Sequence, residues 1–114
     1  MALASYARNL YAPQAFIDVN LVTIVITAAG RDASRSSPDT AVGAGASGAY
    51  VCTMPSGVKQ VLVGADTVNS STDKVSVTSL SSSGGVTTFT ATKSDGANAA
   101  GSEEIHLTFL VFNQ

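Results

Sequence analysis

Apolar and polar positions alternate with a period of two along most of this chain, which is the signature of half-buried strands rather than helices. The clearest run closes the sequence. Ile105, Leu107, Phe109 and Val111 share one face, and Glu104, His106 and Thr108 share the other. Toward its end the run is apolar on both faces, because Leu110 and Phe112 have the parity of His106. That pattern predicts a central strand, or one whose outer face meets another subunit. Phe16 to Thr27 reads as a second long strand. Its parity switches midway, from Ile17, Val19 and Leu21 to Val22, Ile24 and Ile26. A bulge near Leu21 or Val22 would explain the switch; so would a strand buried on both faces at that point.

Shorter runs fill the middle. Ala49 to Met54 sets Tyr50, Cys52 and Met54 on one side, and Val58 to Ala65 is expected to return beside it as a hairpin through Pro55-Ser56-Gly57. Lys74 to Leu80 points Val75 and Val77 inward, Ser81 to Gly85 reads as a turn, and Val86 to Lys93 has Phe89 and Ala91 on its apolar side. About six strands separated by turn chemistry predict an all-β fold, a single antiparallel β-sandwich or jelly-roll-like domain over residues 16–114. Gly30 to Gly48 is a long connection with Val42 as almost its only apolar anchor. It is expected to lie over a neighbouring subunit or to project into solvent. Residues 1–15 form an N-terminal arm. Leu3, Tyr6 and Leu10 fit one helical face, but the piece is too short to hold a helix alone. Tyr6 and Tyr11, with Arg8 between them, are suited to anchoring the arm on a neighbour or on its own domain.

Composition sharpens this picture. Only 12% of the 114 residues are charged, about half the usual ~25% of a soluble domain. Ser, Thr, Ala and Gly take the place of the missing charge, which suits a surface hidden in an assembly. The six Lys and Arg residues are scattered singly and the net charge is −2, so no nucleic-acid partner is expected. The longest apolar stretch, Phe16 to Ile26, is interrupted by Asp18, Asn20 and Thr23 and is too short to cross a bilayer. The start lacks a basic segment followed by an unbroken apolar one, so synthesis in a cytoplasm is expected.

No catalytic or metal-binding pattern is complete in the sequence. One cysteine, Cys52, and one histidine, His106, do not make a zinc site. Asp66, Asn69 and Asp73 lack calcium-loop spacing. His106 sits in an alternating strand without a nucleophile elbow anywhere in the chain. Cys52 reads as a buried small hydrophobe. Neither enzymatic activity, a cofactor nor a small-molecule substrate is expected.

Two stretches carry a resemblance: Ser47-Gly-Ala-Tyr-Val-Cys-Thr-Met-Pro-Ser-Gly-Val, and Glu104-Ile-His-Leu-Thr-Phe-Leu-Val-Phe at the end. With their Gly-aromatic strand, Pro/Gly turn, Ser/Thr/Gly-rich loops and apolar closing strand, they resemble small β-sandwich proteins of tailed bacteriophage particles. These are capsid decoration (cement) proteins and head- or tail-fibre knobs. The resemblance implies a homo-oligomer, a trimer above all, held on a virion lattice by its arm and loops. A major capsid protein or another virion protein would be its partner. It implies a place on the capsid surface after synthesis in a host cytoplasm. The expected role is decoration; the alternative is a knob that binds a host receptor or glycan through the Gly30–Gly48 and Ser94–Ser102 loops. The expected contact residues are Leu3, Tyr6, Arg8, Leu10, Tyr11, Val42, Leu110 and Phe112.

Overall fold

A computed structural model describes residues 18–44 and 48–113. The expected arm and its contact residues Leu3, Tyr6, Arg8, Leu10 and Tyr11 lie outside the described residues. Among the described residues there are eight strands: β1 (Asp18–Thr27), β2 (Gly30–Arg31), β3 (Ala41–Ala44), β4 (Ala49–Pro55), β5 (Lys59–Val68), β6 (Val75–Ser83), β7 (Val86–Lys93) and β8 (Glu104–Asn113). They form two four-stranded antiparallel sheets, one ordered β2-β1-β8-β5 and the other β3-β4-β7-β6. The two sheets pack together, so the fold is a β-sandwich.

The core lies between the inward rows. The first sheet contributes Val22, Ile24 and Ile26 from β1 and Ile105, Leu107, Phe109 and Val111 from β8. The second contributes Tyr50, Cys52 and Met54 from β4 and Phe89 and Ala91 from β7. Phe89 and Phe109 meet across the interface with ring centroids 4.9 Å apart and planes tilted by 51°. A tilted aromatic pair adds about 0.5–1.5 kcal/mol to what burial alone supplies. β8 is central, flanked by β1 and β5, as its two-faced apolar end requires.

Three expectations about connections are corrected. First, β4 and β5 are not a hairpin. Pro55-Ser56-Gly57 carries the chain from the second sheet to the first, and Val58 N–H donates to the Phe112 carbonyl at 2.7 Å. A Cβ on Gly57 would fall onto that same carbonyl and onto the Val111 side chain. Close approach to β8, rather than turn geometry, is why a glycine stands there. Second, β1 holds one register against β8 from Asp18 to Ile26 without a bulge. Its parity switch arises because both faces of the strand are apolar. The irregularities fall instead in β5, between Leu62 and Gly64, and in β6, between Thr78 and Ser81. Third, residues 30–44 are stitched to their own domain. β2 pairs with β1 and β3 pairs with β4. Between them Ser37 N–H donates to the Thr23 carbonyl, and the hydroxyls of Ser37 and Ser36 accept from the N–H groups of Thr23 and Val25. Serine oxygens thus continue the ladder where a strand would otherwise end in an open edge.

Two glycine substitutions test the crossover. Gly57→Ala is expected to destabilise the fold by about 1–3 kcal/mol through overpacking. Gly64→Ala, where an added Cβ meets nothing within 4 Å, is expected to stay within about 0.5 kcal/mol of the parent. Urea denaturation followed by circular dichroism measures both.

Candidate functional site

Because β1, β8 and β5 are in register, their outward residues form rows. Val19 stands opposite Phe112, which stands opposite Lys59; Leu21 stands opposite Leu110, which stands opposite Val61. Val19, Leu21 and Val61 are exposed, Leu21 by 62%, and Leu110 and Phe112 are half-buried. The sequence expectation for Leu110 and Phe112 thus falls within an apolar stripe three strands wide. Val42, expected as a contact residue, packs against the core opposite Cys52 instead.

Among the described residues, the stripe adjoins an uncovered length of the β1 edge. The serine cover ends at Thr23, and beside Leu21 lies a depression of about 250 Å³. Leu21, Val22, Pro55 and Val111 line it together with the polar Asn20, Asp39 and Asn113; Val22 and Val111 are inward residues, so it opens on the core side of the β1 edge, with the stripe on the outer side. That volume is below the roughly 300–1,000 Å³ of small-molecule sites.

On the other side of the sandwich, the outward positions of the second sheet form a face of a different kind. Val51 pairs with Thr90 and Thr53 with Thr88; Thr78 and Ser81 continue the same rows on β6. Among β3, β4, β6 and β7 the only charged residue is Lys93, and it points inward, 2% exposed. The strands thus present no charge on that outer face, and the exposed Lys74, one residue before β6, stands at its end.

Lys93 follows Phe89 and Ala91 on the inward row of β7. Its ammonium is surrounded by Asp73 at 3.6 Å, Asp95 at 3.3 Å and Glu103 in close contact. Burial pulls the Lys93 pKa down, but hydrogen bonds and charge from Glu103 and Asp95 outweigh it and leave the group above its ordinary value. Asp95 is held low by the Ala97 N–H and by Lys93. Asp73 precedes β6 and Glu103 precedes β8, so this cluster ties the loops of both sheets together at one end. Tyr50 closes the same end, its hydroxyl accepting from Ala99 N–H at 2.8 Å.

A second network is at the surface. Arg35 reaches Asp32 at 2.9 Å and grips both carboxylate oxygens of Glu104 at 3.0 and 2.7 Å. His106 Nε2 lies 2.8 Å from Glu104 Oε1. The Arg35 guanidinium, then His106, holds Glu104 down at about 2. Ser34, then Arg35, holds Asp32 at about 2. The histidine is thus engaged by a structural carboxylate that fastens the 32–37 loop to β8. Cys52 is fully buried, and burial pushes its thiol up to about 12, far from a reactive thiolate. Among the described residues no cluster of His, Cys, Asp or Glu could hold a metal ion, and no helix is long and apolar enough to cross a membrane.

Lys93 was missed in the sequence because it stands alone, although parity with Phe89 and Ala91 would have found it. Val19 and Val61 were missed because membership of one stripe depends on the strand order. Comparison of the chain with protein families, curated proteins and solved structures returned no match.

Replacing Lys93 with Met leaves three carboxylates crowded without a cation. A loss of about 3 kcal/mol is expected in urea denaturation, the low end for a broken buried pair because Asp95 reaches solvent. Acid should act through Asp32 and Glu104. Their folded pKa values lie below their unfolded ones, so their contribution is complete above about pH 5 and is lost as pH falls toward 2. Melting temperature should drop across that window, and Glu104→Gln should flatten the drop.

Proposed function

We propose that this protein is a structural component of a virus particle, a capsid decoration (cement) protein that binds and stabilises the capsid lattice. The observation that carries this reading is the outer face of the second sheet, whose strands place no charged side chain on it. An independent soluble domain normally spreads charge over such a face for solubility, whereas the centre of a protein interface is depleted of it. The resemblance of the strand and turn pattern to phage β-sandwich proteins supplies the particular assembly. A major capsid protein, or another virion protein, is then the partner, and the capsid surface is the place of action. The protein is not an enzyme on this reading: its one histidine serves a loop clamp and its one cysteine fills the core. A receptor-binding knob is less well supported, because residues 32–37, part of one of its two proposed binding loops, are committed to sealing the edge of β1.

The test is cosedimentation with purified, undecorated shells of its virus. Saturable binding and a raised shell melting temperature are expected. Thr90→Lys, which sets a charge in the middle of the neutral face, should weaken binding by at least about tenfold while the free protein stays folded. Saturable binding to host cells, with none to shells, would instead identify a knob.

A further inference from the structure

We infer that the apolar stripe and the depression beside it receive the N-terminal segment, residues 1–17, of a second copy of this chain. This inference rests on the assembly reading above and specifies how the copies join. Four observations support that occupant. The first is place: Asp18 is paired with Asn113, so β1 and β8 end together and residues 1–17 precede the end of this sheet. Seventeen residues span roughly 55 Å when extended, enough to reach a neighbour. The second is area. A stripe of five partly exposed side chains offers a few hundred Å², against the ~800 Å² per partner of a standard interface. Two bare stripes pressed together fall short, and an added segment supplies the difference.

The third is chemistry. The segment holds Leu3, Tyr6, Leu10 and Tyr11. The depression is lined by apolar and polar residues together, which suits a tyrosine, an aromatic body with a polar tip. The fourth is charge: the only charged side chain in residues 1–17 is Arg8, and the carboxylates nearest the depression are the exposed Asp39 in its lining and the exposed Asp18 at the start of β1. Reaching Leu21 from within the same chain requires a reversal immediately before Asp18, back across the stripe to be covered. A neighbour's segment needs none.

Complementation tests this with full-length chains. Leu21→Asp spoils the receiving surface, and its position at 62% exposure keeps the change out of the core. The double variant Tyr6→Asp/Tyr11→Asp spoils the segment. Circular dichroism establishes that each is folded before sedimentation. The parent should sediment as an oligomer and each variant as an 11.5 kDa monomer. An equimolar mixture should regain a species of at least two chains, because an intact segment then meets an intact surface. The inference is overturned if the parent is monomeric up to about 100 µM, if either variant keeps the parent's mass, or if the mixture stays monomeric; the last result places the segment on its own domain. Shell binding by a monomeric parent would leave the assembly reading standing while this inference fell.

Discussion

Phe109 meets Phe89 across the sandwich, and this contact fixes which way both central strands face. A strand offers only two faces, so one buried residue sets the orientation of every other residue in it. With Phe109 inward, Ile105, Leu107 and Val111 are inward too, and Leu110 and Phe112 are left outside. With Phe89 inward, Ala91 and Lys93 follow, and Thr88, Thr90 and Thr92 form the opposite surface. The core, the buried lysine, the apolar stripe and the neutral face are thus consequences of one alternation applied to two strands.

Burying Lys93 is the costliest of these consequences, since a lone ammonium in a core would be strongly disfavoured. The three carboxylates around it come from the β5–β6 and β7–β8 connections, so neutralising the charge also closes one end of the sandwich. Arg35 does similar work at the surface with exposed groups, where each pair contributes little by itself. What Arg35 adds is position: the 32–37 loop is held where its serines seal the edge of β1. Among the described residues the cover ends at Thr23, and the length of β1 beyond it lies beside the apolar stripe.

The all-β class and the inward residues of β8 were legible because alternation is local. The sheet assignment of β4 and β5 was not. Pro55-Ser56-Gly57 has the residues of a hairpin turn, and only contact with Phe112, fifty-five positions further on, shows that it crosses between sheets. The absence of a bulge in β1 was similarly hidden, because two apolar faces and one bulge give the same parity switch. In the candidate site, Leu110 and Phe112 were readable from the closing strand alone. Val19, Leu21 and Val61 join them only through strand order, and Val42 leaves the set because β3 packs on the core.

The central claim is that the neutral face and the apolar stripe are covered when the protein is assembled. Hydroxyl-radical footprinting of the free chain and of the chain on its particle measures this most directly. Labelling should fall at Val51 and Val86 on the neutral face and at Leu21 and Phe112 on the stripe, and should be unchanged at Val68, which is exposed at the other end of β5. Protection confined to Val68, or protection nowhere, would contradict the account.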